Sequence, residues 1–193
     1  PLRLAVCTDC WLLQIIDLVP PVDLFSEYIY FSSYSDAWVN HAAQSAQRYL
    51  RDFELGVDDW VVEIASNDGY LLRHFAAADV PHLGIEPAEN VAAVARDKGV
   101  ETRVEFFTAD LARELGATQR ADLMLGCNVF AHVPDPNDFV AGLKELLALE
   151  GRAILEFPYA MEMIAHGEFD TIYHEHVFYF TLTALEPLFA RHG

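Results

Sequence analysis

The sequence predicts an α/β fold built on a doubly wound, mostly parallel sheet. From Asp58-Asp59 onward, short apolar runs alternate with amphipathic stretches at helical spacing. One helix-length segment separates each apolar run from the next, and that demands parallel crossovers. The first run closes on the polar turn Ser66-Asn67-Asp68-Gly69 and leads straight into a helical pattern.

Each element follows in order. Residues 1–34 read as an irregular, aromatic-rich appendage containing Phe25, Tyr28, Tyr30, Phe31 and Tyr34. Ser35-Asp36 caps a helix whose apolar face is Trp38, Val39, Ala42, Ala46, Tyr49, Leu50 and Phe53, with Gly56 just past its end. Strands are expected at 60–64, 82–86, near 100–106, at 121–128 and at 152–157. Helices are expected at 70–78, 88–98, about 137–149 and 183–193. Such a sheet usually carries two more strands, so the chain is expected to be cut at its C-terminus after the fifth strand and the helix that follows. The chain divides as 1–34, remnant of an N-terminal lobe, and 35–193, the sheet-based core.

Composition narrows the function. Hydrophobic residues make up 53% of the 193, enough to pack a core. Acidic residues outnumber basic ones 30 to 12, for a formal net charge of −18, which argues against a nucleic-acid polymer or an anionic membrane as partner. No run of about 18 apolar residues is present, so no membrane-spanning helix is expected. The opening residues do not read as a signal peptide, and the three cysteines suit a reducing, cytoplasmic setting. Cys127, inside a strand, reads as a small buried hydrophobe. Oligomeric state is not encoded in any pattern here.

The loop after the first strand carries the most information. Dinucleotide enzymes place G-x-G-x-x-G there. This chain instead has Glu63-Ile-Ala-Ser-Asn-Asp-Gly69. That is similar to the E-x-G-x-G-x-G loop of S-adenosylmethionine methyltransferases, with Ala65 and Asn67 in place of two glycines. Alanine is small enough for close backbone approach, and asparagine tolerates left-handed dihedrals. Glu86, in Gly84-Ile-Glu-Pro87 at the end of the next strand, suits a carboxylate accepting both ribose hydroxyls. The expected cofactor contacts are Glu63, Ala65, Ser66, Asn67, Gly69, Glu86, Phe107 and Asn128. The alternative for Glu63 and Glu86 is simple strand capping; Asp110 is either an adenine contact or a helix cap.

Further segments complete a resemblance: Asn128-Val-Phe-Ala-His-Val-Pro134, Asn137-Asp-Phe139, Phe169-Asp-Thr-Ile-Tyr-His-Glu-His176 and Phe25-Ser-Glu-Tyr-Ile-Tyr-Phe-Ser-Ser-Tyr34. Together with the two loops above, the chain resembles the sugar C-methyltransferases of deoxysugar biosynthesis, which methylate C3 of nucleotide-linked 4-keto-deoxysugars. The resemblance implies a class I, Rossmann-like methyltransferase core with S-adenosylmethionine as cofactor. It implies an N-terminal zinc module with two Cys pairs, of which only Cys7 and Cys10 stand here. Zinc is expected only if the missing ligands are supplied, since a structural site takes four. A C-terminal domain is also implied, and it is expected to bring the cations for a diphosphate, because only Lys144, Arg152 and Arg191 are basic after Arg120.

Methylating carbon beside a ketone needs a base and a group to steady the oxyanion. By the resemblance His176 is the base, with Glu175 and Tyr173 orienting it or binding the sugar. His132 is placed to polarise the ketone and Tyr34 to close the pocket from the N-terminal side. If 173–176 is extended, Tyr173 and Glu175 face one way and the two histidines the other. A core histidine at 132, plain packing at Tyr34, and a metal on His-x-His are the blander alternatives. For the whole chain, the competing functions are O- or N-methylation of a small molecule and a non-catalytic cofactor-binding domain.

Overall fold

The computed structural model describes residues 2–193. A five-stranded sheet runs β5-β4-β3-β6-β7, parallel throughout: β3 is Val61–Ile64, β4 His82–Ile85, β5 Thr102–Arg103, β6 Ala121–Cys127 and β7 Leu147–Glu156. The chain winds outward from β3 through β4 to β5, then returns to lay β6 and β7 on the other side. This reversal puts a crevice at the C-terminal ends of β3 and β6, where open α/β sheets take their ligands.

Strand periodicity divides the core. Val62, Ile64 and Met124 face α5 (Ala109–Gly116) and α6 (Pro136–Leu146), in a cluster with Phe130, Phe139 and Leu143. Val61, Leu123 and Leu125 belong to the opposite cluster, with Leu71, Leu72 and Phe75 and with Ala42 and Ala46 of α2 (Asp36–Asp52). Both faces are covered, which is why these strands read as continuous apolar runs. Glu63 shares the parity of Val61 and is therefore driven into the interior, with no exposed surface.

Several elements differ from the sequence expectation. The helix expected at 70–78 is a single turn, α3 (Arg73–Ala76), because Gly69 through Leu72 are taken up by turns. β5 keeps only two residues of the expected 100–106. The helix expected to reach 149 stops at Leu146, and Leu147 turns extended (ψ 140°) to pair with Ala121. A helix is present at α5, capped by Thr108, which accepts the Leu111 N–H at 3.2 Å. The last helix, α8, covers Leu182–Ala190.

Residues before 35 are less irregular than their composition suggests. β1 (Leu4–Val6) and β2 (Leu13–Ile15) form a hairpin, α1 covers Pro21–Phe25, and a 3₁₀ turn covers Ser32–Tyr34. The hairpin is joined by β8 (Phe178–Tyr179) in a second, antiparallel sheet, after α7 (Ala160–His166). The N-terminal segment thereby braces the residues just after His176. Among the described residues, no helix is long and apolar enough to cross a membrane.

Candidate functional site

A cavity of about 1020 Å³ opens at the crevice. At one end are Ala65, Asn67, Glu86 and Phe107; at the other are His132, Tyr173, Glu175 and His176; Asn128 also lines it. Of the expected cofactor contacts, Glu63, Ser66 and Gly69 do not line it. They sit behind the wall and shape it.

The loop takes its turn through left-handed residues: Ala65 (φ 55°), Asn67 (φ 49°) and Gly69 (φ 72°). A Cβ on Gly69 would meet Val100 Cγ2 at 2.9 Å, so that position needs glycine on two counts. Asn128 also lies in the left-handed region (φ 52°), turning the chain sharply after β6. Glu86 is almost fully buried; its Oε2 accepts the Asn67 N–H at 3.0 Å and its Oε1 the Ala88 N–H at 2.9 Å. Burial raises its pKa, opposed by those two N–H groups.

Glu63 has no hydrogen-bond partner on either carboxylate oxygen. Burial, followed by the nearby carboxylates Glu86 and Asp68, pushes its pKa well up; the Tyr70 hydroxyl and the Leu72 N–H lie close enough to oppose this but outside bonding geometry. Asp68, also buried, pairs with Lys98 Nζ at 2.9 Å and with the Ser33 hydroxyl. Cys127 lines the cavity, and burial beside Glu63 and Glu156 pushes its thiol up to about 12, so it stays protonated and unreactive.

At the other end, the segment after Thr171 bends instead of extending, so Tyr173, Glu175 and His176 all reach the cavity. Val177 N–H donates to the Ala131 carbonyl at 2.8 Å and draws this turn against the loop after β6. His132 and His176 meet edge-on, with ring centroids 4.8 Å apart. His176 Nδ1 lies 2.8 Å from the Thr171 carbonyl, an acceptor only, so Nδ1 carries the hydrogen and Nε2 the lone pair. The Tyr173 hydroxyl donates to that Nε2 at 2.9 Å. Desolvation lowers both imidazoles, His132 to about 4 with His176 adding to the effect, so both are neutral near pH 7.

Tyr34 lies elsewhere. It is 78% exposed, stacks on Phe31 and does not line the cavity; Tyr28 and Tyr30 line it instead. Sequence reasoning missed these two because an aromatic segment without period does not show which rings turn inward. Asp110 is exposed and pairs with Arg113 in the first turn of α5, as a helix-start residue does. Cys7 and Cys10 sit in the β1–β2 turn, where the backbone N–H groups of Cys10 and Asp9 lower the Cys7 pKa. Among the described residues no group of three or more Cys, His, Asp or Glu is placed to hold a metal, so these two thiols do not make a zinc site on their own.

Two features define what the cavity accepts. Its walls are mainly apolar, including Ile64, Ile85, Phe106 and Val129, and its charged lining is entirely carboxylate: Glu86, Asp135, Asp138 and Glu175. A cationic ligand with a flat aromatic part suits this environment better than a pyrophosphate does.

The five-stranded parallel sheet, with its crevice at the strand ends, is the fold of class I methyltransferases. The chain belongs to the methyltransferase domain family, whose model matches residues 38–193. Over 194 aligned residues it is 38% identical to the C-methyltransferase NovU of Streptomyces niveus, covering 100% of this chain and 46% of that protein, so the chain spans about half the length of that curated relative. Solved structures share the fold at low identity. The YcgJ protein of Bacillus subtilis matches with a TM-score of 0.62 at 18% identity, over 79% of this chain and 68% of that one. The magnesium protoporphyrin IX methyltransferase of Synechocystis, solved with bound SAH, matches with a TM-score of 0.58 at 14% identity, over 80% and 72%.

Proposed function

We propose that the chain is the cofactor-binding core of an S-adenosylmethionine-dependent C-methyltransferase acting on a nucleotide-linked keto-deoxysugar through an enolate. The observation that carries this is the single cavity with Glu86 and the left-handed loop at one end and the Tyr173–His176 pair at the other. The match to a C-methyltransferase along the whole chain supports it.

S-adenosylmethionine, when bound, supplies an electrophilic methyl group on a cationic sulfur. Glu86 still has lone pairs to accept ribose hydroxyls, and the carboxylate-rich lining favours positive charge. At the reactive end, a substrate ketone displaces the Tyr173 hydroxyl from His176 Nε2. The freed nitrogen takes the proton alpha to the carbonyl, and the C–H electron pair passes into the enolate. Tyr173 donates to the oxyanion, with His132 packed edge-on against His176 beside it. That electron pair would form the new C–C bond to the methyl group as the sulfur–methyl bond breaks to leave a neutral thioether, and the proton stays on His176 until solvent removes it. Among the described residues no Lys or Arg lines the cavity, so a diphosphate would not be held by its walls.

The test is proton exchange in D₂O with a nucleotide-linked 4-keto-deoxysugar and no cofactor. His176-dependent deuterium uptake at the carbon next to the ketone is expected. Methyl transfer that survives His176→Ala, with no exchange in the parent protein, would point to oxygen or nitrogen methylation instead.

A further inference from the structure

The backbone from Tyr28 to Tyr34 has only one 3₁₀ turn of regular structure, yet side chains on the cofactor side fasten it at three places. Asn67 uses both ends of its amide: Oδ1 accepts the Ser32 N–H at 2.9 Å, and Nδ2 donates to the Tyr30 carbonyl at 3.0 Å. The buried Asp68–Lys98 pair holds the Ser33 hydroxyl. Asn90, at the start of α4 (Glu89–Asp97), grips Tyr28 in the same two-way fashion, with bonds of 3.2 and 2.6 Å to its N–H and carbonyl. Tyr28, Ile29, Tyr30 and Ser32 form part of the cavity wall, so the segment is a strap across the site.

Asn67 stands at the centre of this arrangement. Its own N–H donates to Glu86 Oε2 at 3.0 Å, while its side chain holds the strap. Its backbone is left-handed (φ 49°), a conformation glycine adopts more easily. Beyond the turn that glycine could also make, the asparagine side chain adds two bonds to the strap and one within the loop, where Oδ1 also accepts the Asp68 N–H at 2.9 Å.

We infer that Asn67 is a positioning residue that latches the 28–34 strap closed across the cofactor cavity, so that cofactor and strap hold each other in place. The inference rests on the cofactor reading above. Coupling of this kind is reciprocal: a closed strap slows cofactor release, and bound cofactor protects the strap.

The experiment pairs stopped-flow release of S-adenosylhomocysteine with hydrogen–deuterium exchange of residues 28–34, in the parent protein, Asn67→Gly and Asn67→Asp. Glycine keeps the left-handed backbone and removes both strap bonds together with the loop bond to the Asp68 N–H, so release is expected to quicken about tenfold and strap amides to exchange faster, with β3, β4 and β6 unchanged. Aspartate keeps the acceptor for Ser32 and loses the donor for Tyr30, so it should fall between. Release and strap exchange both unchanged in Asn67→Gly would overturn the latch. If Asn67→Gly also loosens the strands, Asn67→Asp and Asn90→Ala decide: faster strap exchange with protected strands sustains the latch, and an unchanged strap removes it. Failure of the parent protein to bind S-adenosylhomocysteine would count against the cofactor reading alone, and strap exchange in Asn67→Gly would still decide the latch.

Discussion

His176 shows how much one carbonyl can determine. By taking the Nδ1 hydrogen, Thr171 leaves the Nε2 lone pair facing the cavity, and desolvation keeps that lone pair free of a proton. A base with a lowered pKa works over a wide range: kcat/KM is expected to rise through an apparent pKa below about 6.5 and stay level to neutral pH and above. His176→Ala should cost about 10²- to 10⁴-fold in kcat/KM. A profile that still climbs between pH 7 and 8, or a variant within a factor of a few of the parent, would remove His176 from the role. At this scale the sequence was informative where a residue type is rare in its setting, such as Glu86 at a strand end or Tyr173-His-Glu-His176 in four residues. It was uninformative for Tyr28, Tyr30 and Tyr34, where inward and outward rings alternate with no helical or strand period to sort them.

The loop between β3 and α3 concentrates the strain at the level of elements. Three left-handed residues in five bring the Asn67 N–H to Glu86, and only one of the three is glycine. Alanine pays about 1 kcal/mol for such a backbone. Ala65→Gly is therefore expected to stabilise the fold by about 1 kcal/mol in denaturant titration, and a destabilised variant would show that the Ala65 methyl packs in a way its backbone does not reveal. The strands and longer helices were legible because both faces of the sheet are covered and each helix buries one stripe. β1, β2 and β8 were not: two or three residues each, they are too short to show a period, and β2 is completed only by β8 far along the chain, with Leu13 opposite Tyr179. The bend at 173–175 is closed by its own His176 N–H to Tyr173 carbonyl bond and anchored by the long-range Val177–Ala131 bond, and no sequence period signals either.

For the molecule as a whole, opposing titrations set the response to pH. His132 has a folded pKa of about 4 against an unfolded value near 6.5, so the unfolded chain binds more protons between those limits. Stability is expected to fall as pH drops from 6.5 towards 4, by up to about 3 kcal/mol from this residue, and His176 acts in the same direction. Glu63 works the other way: its raised folded pKa means that its neutral form is favoured inside, and stability is lost as pH climbs above the ordinary glutamate range. Glu63→Gln, neutral at every pH, should raise Tm at pH 8 and change it little at pH 4.5. An equal effect at both would show that folding does not raise the Glu63 pKa.

Calorimetric titration with S-adenosylhomocysteine, of the parent protein beside Glu86→Ala, tests the cofactor cavity most directly. Micromolar binding in the parent, weakened at least tenfold in the variant, is the expected result, since a hydrogen bond to a charged group contributes about 1.5–3 kcal/mol. Equal affinity in both proteins, or no binding to the parent, would contradict a nucleoside site built on Glu86.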